Sequence, residues 1–165
     1  MLYRSAFGKA RHHEEPILSQ TAEYALRAVV HLARHTGPEP VQAAELAAAT
    51  DVPENYLRKV LHELVRGGIL RSSRGKRGGF RFAVPADRLT LLAVISCFDR
   101  LTERRRCLLG RAECSDADPC PLHHHWKAMA ERLATFFGTT TVADVVADQR
   151  RPEAGRRAGE DGRRR

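Results

Sequence analysis

Three cysteines and one histidine lie close together in the C-terminal half of the 165-residue chain. Six residues separate Cys107 from Cys114, five separate Cys114 from Cys120, and two separate Cys120 from His123. The cysteine gaps exceed the roughly two to four residues between paired ligands of a common zinc site. A loop of this length can wrap an inorganic cluster, because thiolates converging from irregular backbone are the preferred ligands of iron–sulfur clusters. Spacing alone leaves zinc binding, free thiols and a redox disulfide open.

The residues around the last of these cysteines favour an anionic ligand. Cys120 stands directly before Pro121, where we predict that a helix begins. The positive end of a helix dipole stabilises a thiolate or an anionic cluster. His123 lies one turn into that helix, where it can supply a nitrogen ligand. Cys97 falls instead in an apolar segment, which predicts a small core residue.

The sequence has no feature of a secreted or membrane protein. No stretch approaches about 18 consecutive apolar residues, so we expect no membrane-spanning helix. The N-terminal residues lack the apolar core of a signal peptide. We therefore expect a cytoplasmic protein with no membrane partner. In that compartment cysteines serve more often as ligands, redox groups or core residues than as structural disulfides.

Basic residues are concentrated in one segment of the chain. The net charge is +8, and residues 54–81 hold eight basic side chains against Glu54 and Glu63. The eight are Arg58, Lys59, Arg66, Arg71, Arg74, Lys76, Arg77 and Arg81. This uneven charge indicates a nucleic-acid-binding face, although an ordinary solvated surface can have the same composition.

The hydrophobic pattern around this segment predicts three helices and a hairpin. Helices are expected over residues 18–36, 41–49 and 53–66. Two strands, over 69–73 and 80–84, then flank a basic, glycine-rich tip. Thr90 is expected to cap a fourth helix, over residues 91–98. Helix, helix, turn, helix and hairpin is the order of a winged helix-turn-helix. The predicted fold class is therefore mainly α with a small β-hairpin wing.

In such a fold the third helix enters the DNA, because a major groove about 12 Å wide admits one helix. Its polar side chains would reach base edges or phosphates, and the wing tip would contact the backbone or the minor groove. The predicted DNA-binding residues are Asn55, Arg58, Lys59, His62, Arg74, Lys76 and Arg77. Glycines beside the tip would let the backbone approach DNA closely. The alternative is a small α/β core with a merely solvated hairpin.

A long helix is predicted from Pro121 to about Phe137. Its apolar residues step by four, three, four and three, which is the spacing of a coiled-coil seam. The seam consists of Leu122, Trp126, Met129, Leu133 and Phe136. A partner helix is expected to cover Trp126, Met129, Leu133 and Phe136.

These patterns divide the chain into five segments. We expect residues 1–17 to form a flexible extension and 18–98 to form the DNA-binding domain. Residues 99–120 form the cluster-binding loop, and 121–148 hold the long dimerisation helix and a short closing helix. We expect residues 149–165 to form a disordered basic tail, because the segment is rich in Arg and Gly and poor in apolar residues.

Several motifs together resemble the IscR/NsrR-type winged-helix transcriptional regulators. The resemblance covers residues 18–148 and rests on five stretches: LSQTAEYALRAVVHLA, the Tyr56-Leu57 pair of the third helix, RGKRGGFRF, CPLHHHW and TTVADVV. It implies a homodimer with the long helix at its interface. It also implies palindromic operator sites on double-stranded DNA and an iron–sulfur cluster in the DNA-binding protein.

The resemblance also suggests the ligands of that cluster. Cys107, Cys114 and Cys120 match the three cluster cysteines of the family, although the first gap is one residue longer here. His123 matches the histidine that completes a [2Fe–2S] site in one branch. Glu23 falls where another branch uses an acidic residue of the other subunit. We favour [4Fe–4S] with Glu23 over [2Fe–2S], on the expectation that His123 turns toward the backbone cap of its own helix.

The sequence as a whole predicts a homodimeric DNA-binding transcriptional repressor. Operator binding would be controlled by an iron–sulfur cluster that senses nitric oxide, oxidants or iron–sulfur status. Two alternatives are a cluster-free regulator that senses thiol oxidation, and a small metal or redox protein with an incidental basic face. We expect no enzymatic activity, because no glycine-rich phosphate loop or nucleophile–base pair is evident.

Overall fold

The computed structural model describes residues 17–35, 37, 39–75, 77–100, 107, 109–111 and 114–149. Apart from one residue each, the predicted extension and tail lie outside these residues. Lys76 and part of the predicted cluster loop lie outside them as well. None of the helices in the described ranges combines the length and apolar character needed to span a membrane.

Helices and a single hairpin make up the described chain. Their bounds are α1 (Gln20–Arg34), α2 (Ala43–Thr50), α3 (Glu54–Arg66), β1 (Leu70–Ser73), β2 (Gly79–Phe82), α4 (Leu91–Ile95), α5 (His123–Thr139) and α6 (Val142–Gln149). The order confirms the predicted fold class, mainly α with a small β-hairpin wing. The boundaries differ from the predicted ones by a few residues, as expected where helices fray and strands end.

The helix-turn-helix is built around α1. Its first turn is capped by the Ser19 hydroxyl, which accepts from the Ala22 amide at 3.2 Å. Its apolar stripe lies against α2, α3, α4 and α6. Between α2 and α3 the chain turns at Asp51, whose φ of 55° is left-handed. The face of α3 that meets this core consists of Leu57, Val60, Leu61 and Leu64.

The wing is a two-stranded antiparallel hairpin extended by one more residue. Leu70 pairs with Phe82 and Ser73 with Gly79. Val41, which precedes α2, forms an isolated bridge to Phe80 through hydrogen bonds of 3.0 and 2.8 Å. This bridge ties the wing to the helix-turn-helix, so the hairpin is held in a fixed position beside α3.

The bridge also changes the expected role of the wing glycines. A Cβ on Gly79 would lie 2.5 Å from the Val41 carbonyl oxygen, and one on Gly78 would lie 2.4 Å from the Ser73 carbonyl oxygen. Both glycines are therefore required by contacts inside the wing. A close approach of this backbone to DNA stays a prediction.

The C-terminal part of the chain folds back onto the same core. The Thr141 amide and hydroxyl donate to the Asp144 carboxylate at 2.9 and 2.7 Å, while the Asp144 amide donates to the Thr141 hydroxyl at 3.1 Å. This reciprocal capping box begins α6. The Thr141 side-chain hydroxyl, with its backbone amide, holds the pKa of Asp144 below its usual value. Thr141 also bridges to Thr90, so α6 and the start of α4 are joined.

The apolar seam of α5 has two sides in the folded chain. Leu133 packs against the core, and Trp126 is half-buried. Leu122, Met129 and Phe136 are 38%, 51% and 53% exposed. These three residues, called the outer stripe below, are spaced seven apart and so follow nearly one line along the helix.

Two glycine substitutions are expected to have opposite effects on stability. Gly79→Ala should lower the free energy of unfolding by about 1–3 kcal/mol, because its Cβ cannot fit beside Val41. Gly138→Ala is the matched control, because it lies within α5 and its Cβ would meet only Leu92 at 3.8 Å. It should raise the free energy of unfolding by about 0.5–1 kcal/mol. Urea unfolding measures both; a Gly79→Ala protein as stable as wild type would contradict the packing of the wing.

Candidate metal centre and nucleic-acid interface

Two of the predicted cysteine ligands form a close pair. The Sγ atoms of Cys107 and Cys120 lie 3.8 Å apart, and each residue is buried. Two thiolates on one tetrahedral metal, with metal–sulfur bonds of about 2.3 Å, also lie about 3.8 Å apart. Both cysteines are free thiols. The pair therefore has the spacing of two ligands on a single metal ion.

The other two predicted loop ligands form a second pair. The Cys114 Sγ lies 3.3 Å from Nδ1 of His123, whose side chain is almost fully buried. The His123 Nε2 lies 2.7 Å from an oxygen of Asp116. The imidazole thus stands between a thiol and a carboxylate. The expectation that His123 turns toward the backbone cap of its own helix is wrong, because these two side chains hold the ring.

Within the described residues, no three His, Cys, Asp or Glu side chains converge on one metal position. The four loop donors instead form the two pairs, linked by the His123 amide, which donates to the Cys120 carbonyl at 2.9 Å. Glu23 lies in the first turn of α1, where its carboxylate pairs with the guanidinium of Arg27. Cys97 lies apart, beside the carbonyl of Ala93, and is half-buried.

The two kinds of cysteine differ in how easily they ionise. Backbone amides of Arg111 and Leu109 hold the pKa of the Cys107 thiol below its usual value. Burial instead raises the pKa of Cys97. Since the thiolate is the form that binds metal, these two directions agree with the prediction of Cys107 as a ligand and Cys97 as a core residue.

Asp116 is a polar residue of this centre that the sequence analysis missed. Its carboxylate accepts from Nζ of Lys127 at 2.8 and 2.9 Å as well as facing His123. The side-chain hydrogen bonds of Lys127 and then of His123 lower the pKa of Asp116 to about 2. One signal was available: His123 and Lys127 are four residues apart on α5 and so share a face. Nothing in the sequence separates Asp116 from Asp118, which pairs with Arg111 instead.

On α3 all four predicted DNA-binding side chains are exposed: Asn55, Arg58, Lys59 and His62. Two of them also have partners within the chain. The Arg58 guanidinium is bound by the Glu54 carboxylate, with Nε at 3.0 Å. The His62 ring packs edge-on against Phe80 of the wing, with ring centroids 5.7 Å apart. A DNA ligand would therefore compete with Glu54 for Arg58, while His62 stays in contact with the wing.

The wing presents more positive charge than its tip alone. Arg74 and Arg77 are exposed as predicted, while Lys76 lies outside the described residues. Arg71 and Arg81, which were not among the predicted contacts, lie directly opposite each other on β1 and β2. Like charges in this cross-strand position destabilise a hairpin, and a bound phosphate would relieve the repulsion. Their strand register, which sequence spacing alone did not fix, brings them together.

A helix-turn-helix with a basic wing defines a winged-helix DNA-binding protein. The model of the Rrf2 family, described as "Iron-dependent Transcriptional regulator", matches residues 18–148. The chain therefore belongs to the Rrf2 family, which confirms the resemblance found in its sequence. Members of this family are transcriptional regulators rather than enzymes, so the expectation of no enzymatic activity is also confirmed.

Individual relatives agree with this assignment. A protein of Aquifex aeolicus (strain VF5), named as an HTH-type transcriptional regulator, is 36% identical over 132 residues, 79% of this chain and 91% of the relative. The HTH-type transcriptional regulator IscR of Yersinia enterocolitica is 29% identical over 147 residues, 89% of each chain. The structure of CymR (YrzC), the global cysteine regulator of B. subtilis, is similar with a TM-score of 0.67 at 20% identity, covering 79% of this chain and 96% of that one. DNA-binding transcriptional regulation is therefore the functional class, and a small redox protein without DNA binding has no support.

The ion pair at Asp116 gives a testable pH dependence. Because the pKa of Asp116 is about 2 against an ordinary value of 3.8, its contribution to stability is present above the ordinary value and is lost as the pH falls toward 2. Lys127→Ala should raise the Asp116 pKa, because Lys127 is the largest cause of the shift. Carboxyl-carbon NMR titration measures this, with Lys127→Arg as the control that keeps the charge. A wild-type Asp116 that titrates near 3.8 would contradict the ion pair.

Proposed function

We propose that the chain is a homodimeric transcriptional repressor whose operator binding is controlled by an iron–sulfur cluster held in the loop. The observation that carries this proposal is the pairing of the loop donors. Cys107 lies 3.8 Å from Cys120, and Cys114 lies 3.3 Å from His123. A bound cluster would supply an iron–sulfide centre that reacts with nitric oxide and oxidants and is lost when iron is scarce.

The arrangement in two pairs favours [2Fe–2S] as the cluster type. Each iron of a [2Fe–2S] cluster takes two protein ligands, and mixed cysteine and histidine ligation of such clusters is known. The preference for [4Fe–4S] with Glu23 assumed that His123 is turned away, whereas its Nδ1 faces the thiol of Cys114. Glu23 stays the competing ligand. By resemblance it would bind the cluster of the other subunit, so this role requires the proposed dimer.

The proposed dimer uses the outer stripe of α5. Three large apolar side chains in one line, 38–53% exposed, are unusual on a helix that faces only water. Burying each would contribute about 1.5–3 kcal/mol. Trp126 and Leu133, which were also predicted at the interface, are half-buried and would contribute less new buried area than the outer stripe.

A path for the proposed control runs through α1. The Ser19 amide donates to the Asp99 carboxylate at 2.7 Å, so the start of α1 is tied to the segment that enters the loop. Two residues on, the Thr21 hydroxyl lies 2.6 Å from the hydroxyl of Tyr56 on α3. A loop ordered by its ligand would therefore favour one position of α3 relative to its partner copy. The requirement is that the cluster binds one dimer geometry more tightly than the other.

A second candidate is a cluster-free regulator that senses thiol oxidation. The short distance between the free thiols of Cys107 and Cys120 favours it as well, because a small movement would bring the sulfurs within bonding distance. The first function requires iron and sulfide in the anaerobically purified protein, and the second requires neither.

Mutations should distinguish two kinds of DNA contact, those to phosphates and those to bases. Arg77→Ala at the wing tip should weaken binding equally on all sequences and reduce the salt dependence, because it removes a phosphate contact. Arg58→Ala should instead cost about 1–3 kcal/mol on the preferred operator and relax sequence preference. Fluorescence anisotropy at several salt concentrations, with an operator and a scrambled duplex, measures both. Equal losses on both duplexes for Arg58→Ala would contradict a groove-reading role for α3.

Substitution of a predicted cluster ligand should lower the iron and sulfide content, whereas substitution of the remaining cysteine should not. Cys107→Ser, Cys114→Ser and Cys120→Ser should each lose iron and sulfide in anaerobic preparations, while the control Cys97→Ser should keep both. His123→Ala should alter the visible spectrum and lower the iron content, and Glu23→Ala should leave both unchanged. The reverse pattern, with Glu23→Ala losing the cluster and His123→Ala keeping it, would overturn the proposed [2Fe–2S] site.

The oligomeric state should depend on the outer stripe. Met129→Asp should produce monomers at micromolar concentration, because the dimer interface would bury an unpaired charge. Met129→Leu, which keeps the position apolar, should stay dimeric. Sedimentation velocity distinguishes the two, and a monomeric wild-type protein at the same concentration would exclude the proposed dimer.

A further inference from the structure

The carboxylate of Asp116 contacts His123 but is not one of the proposed cluster ligands. His123 is 2% exposed, and both of its ring nitrogens have partners. Nδ1 lies 3.3 Å from the Cys114 Sγ, and Nε2 lies 2.7 Å from Oδ1 of Asp116. Asp116 in turn accepts two hydrogen bonds from Lys127, one at each oxygen. Nδ1 of the ring therefore faces Cys114, and Nε2 faces the ion pair of Asp116 and Lys127.

This geometry selects one tautomer of the imidazole. A neutral imidazole carries a single N–H, and an ionised carboxylate can only accept. With the proton on Nε2, His123 donates to Asp116 across 2.7 Å. With the proton on Nδ1, a nitrogen lone pair would face a carboxylate oxygen at the same distance and repel it. The Nε2–H form therefore leaves the Nδ1 lone pair directed toward Cys114.

The ion pair also fixes the orientation of the ring. Lys127 follows His123 by one turn on the same face of α5, and its ammonium contacts both oxygens of the carboxylate, Oδ1 at 2.8 Å and Oδ2 at 2.9 Å. A carboxylate held at both oxygens has little freedom to rotate, so its hydrogen bond defines the plane in which Nε2 can lie. Rotation of the imidazole away from Cys114 would break that bond, in which the His123 side chain is 3% exposed and that of Asp116 is 69% exposed.

We infer that Asp116 and Lys127 are positioning residues, which hold His123 as the Nε2–H tautomer with Nδ1 free to bind a metal beside Cys114. In its use of Nδ1 as a ligand, this inference rests on the proposed function. The tautomer itself requires no cluster. Partners of this kind behind a metal-binding histidine typically change metal affinity by about 10–100-fold when they are removed.

The direct test is the tautomer of His123 in the full-length apoprotein. Long-range proton–nitrogen NMR of ¹⁵N-histidine-labelled protein at about pH 8, where an ordinary imidazole is neutral, distinguishes the two nitrogens. His123→Ala identifies the signals. Wild type should show Nε2 protonated and Nδ1 unprotonated, while Asp116→Ala should show a mixture of tautomers.

Matched variants separate positioning from a general loss of structure. Lys127→Ala should shift the tautomer balance in the same direction as Asp116→Ala, and Lys127→Arg should restore it. Asp118→Ala, which removes a neighbouring carboxylate paired with Arg111, should leave His123 unchanged. A wild-type ring protonated on Nδ1, or an Asp116→Ala spectrum identical to wild type, would overturn the inference.

A second measurement separates this inference from the proposed cluster. After anaerobic reconstitution with iron and sulfide, Asp116→Ala should bind the cluster about 10–100-fold more weakly than wild type, while Asp118→Ala should match wild type. If wild type takes up no cluster, the proposed function fails, and the NMR result still decides the role of Asp116. If wild type takes up the cluster and Asp116→Ala binds it equally well with an unchanged tautomer, only the positioning role fails.

Discussion

The close packing of α1 against four other helices is the constraint on which the rest of the structure depends. Ala22, Ala25 and Ala28 are 0–1% exposed, and α2, α3, α4 and α6 all contact this helix. Small side chains allow several helices to approach one axis at once. Through these contacts α1 connects the helix-turn-helix with the C-terminal helix α6.

The N-terminal end of α1 also contacts both the entrance of the loop and α3. The Ser19 amide before its first turn donates to Asp99 at the entrance of the loop, and the Thr21 hydroxyl is hydrogen-bonded to that of Tyr56 on α3. Tyr24 packs edge-on against Tyr56 as well, with ring centroids 5.7 Å apart. These contacts connect the start of α1 to Asp99 and to α3, and they are the contacts through which the proposed control by the loop would act.

Features decided by local sequence were predictable. The capping box of Thr141 and Asp144, the hairpin and the amphipathic α3 follow from residues within a few positions of each other. The orientation of His123 was not, because it depends on Asp116 from the loop and Lys127 from the next helical turn. Likewise the need for Gly79 arises from Val41, which is distant in sequence and joins the wing only in the folded chain.

The candidate site shows the same division. The spacing of Cys107, Cys114, Cys120 and His123 alone predicts that the loop is a ligand-binding segment. Their arrangement into two pairs depends on how the loop folds back onto the start of α5, which spacing does not encode. The outer stripe was predictable only in part. Heptad spacing predicted an interface, but the packing of α5 on α4 decides that Met129 is exposed and that Leu133 lies against the core.

The most direct measurement compares the DNA affinity of one anaerobic preparation before and after its iron is removed by a chelator. One duplex, selected from random-sequence DNA with the iron-loaded form, and a second, selected with the iron-free form, should each be titrated with both forms. Control by the cluster predicts that the two dissociation constants differ by about 5–150-fold, the usual range of coupling between two sites. Equal dissociation constants for an iron-loaded and an iron-free dimer, or a colourless anaerobic protein without iron and sulfide, would contradict it.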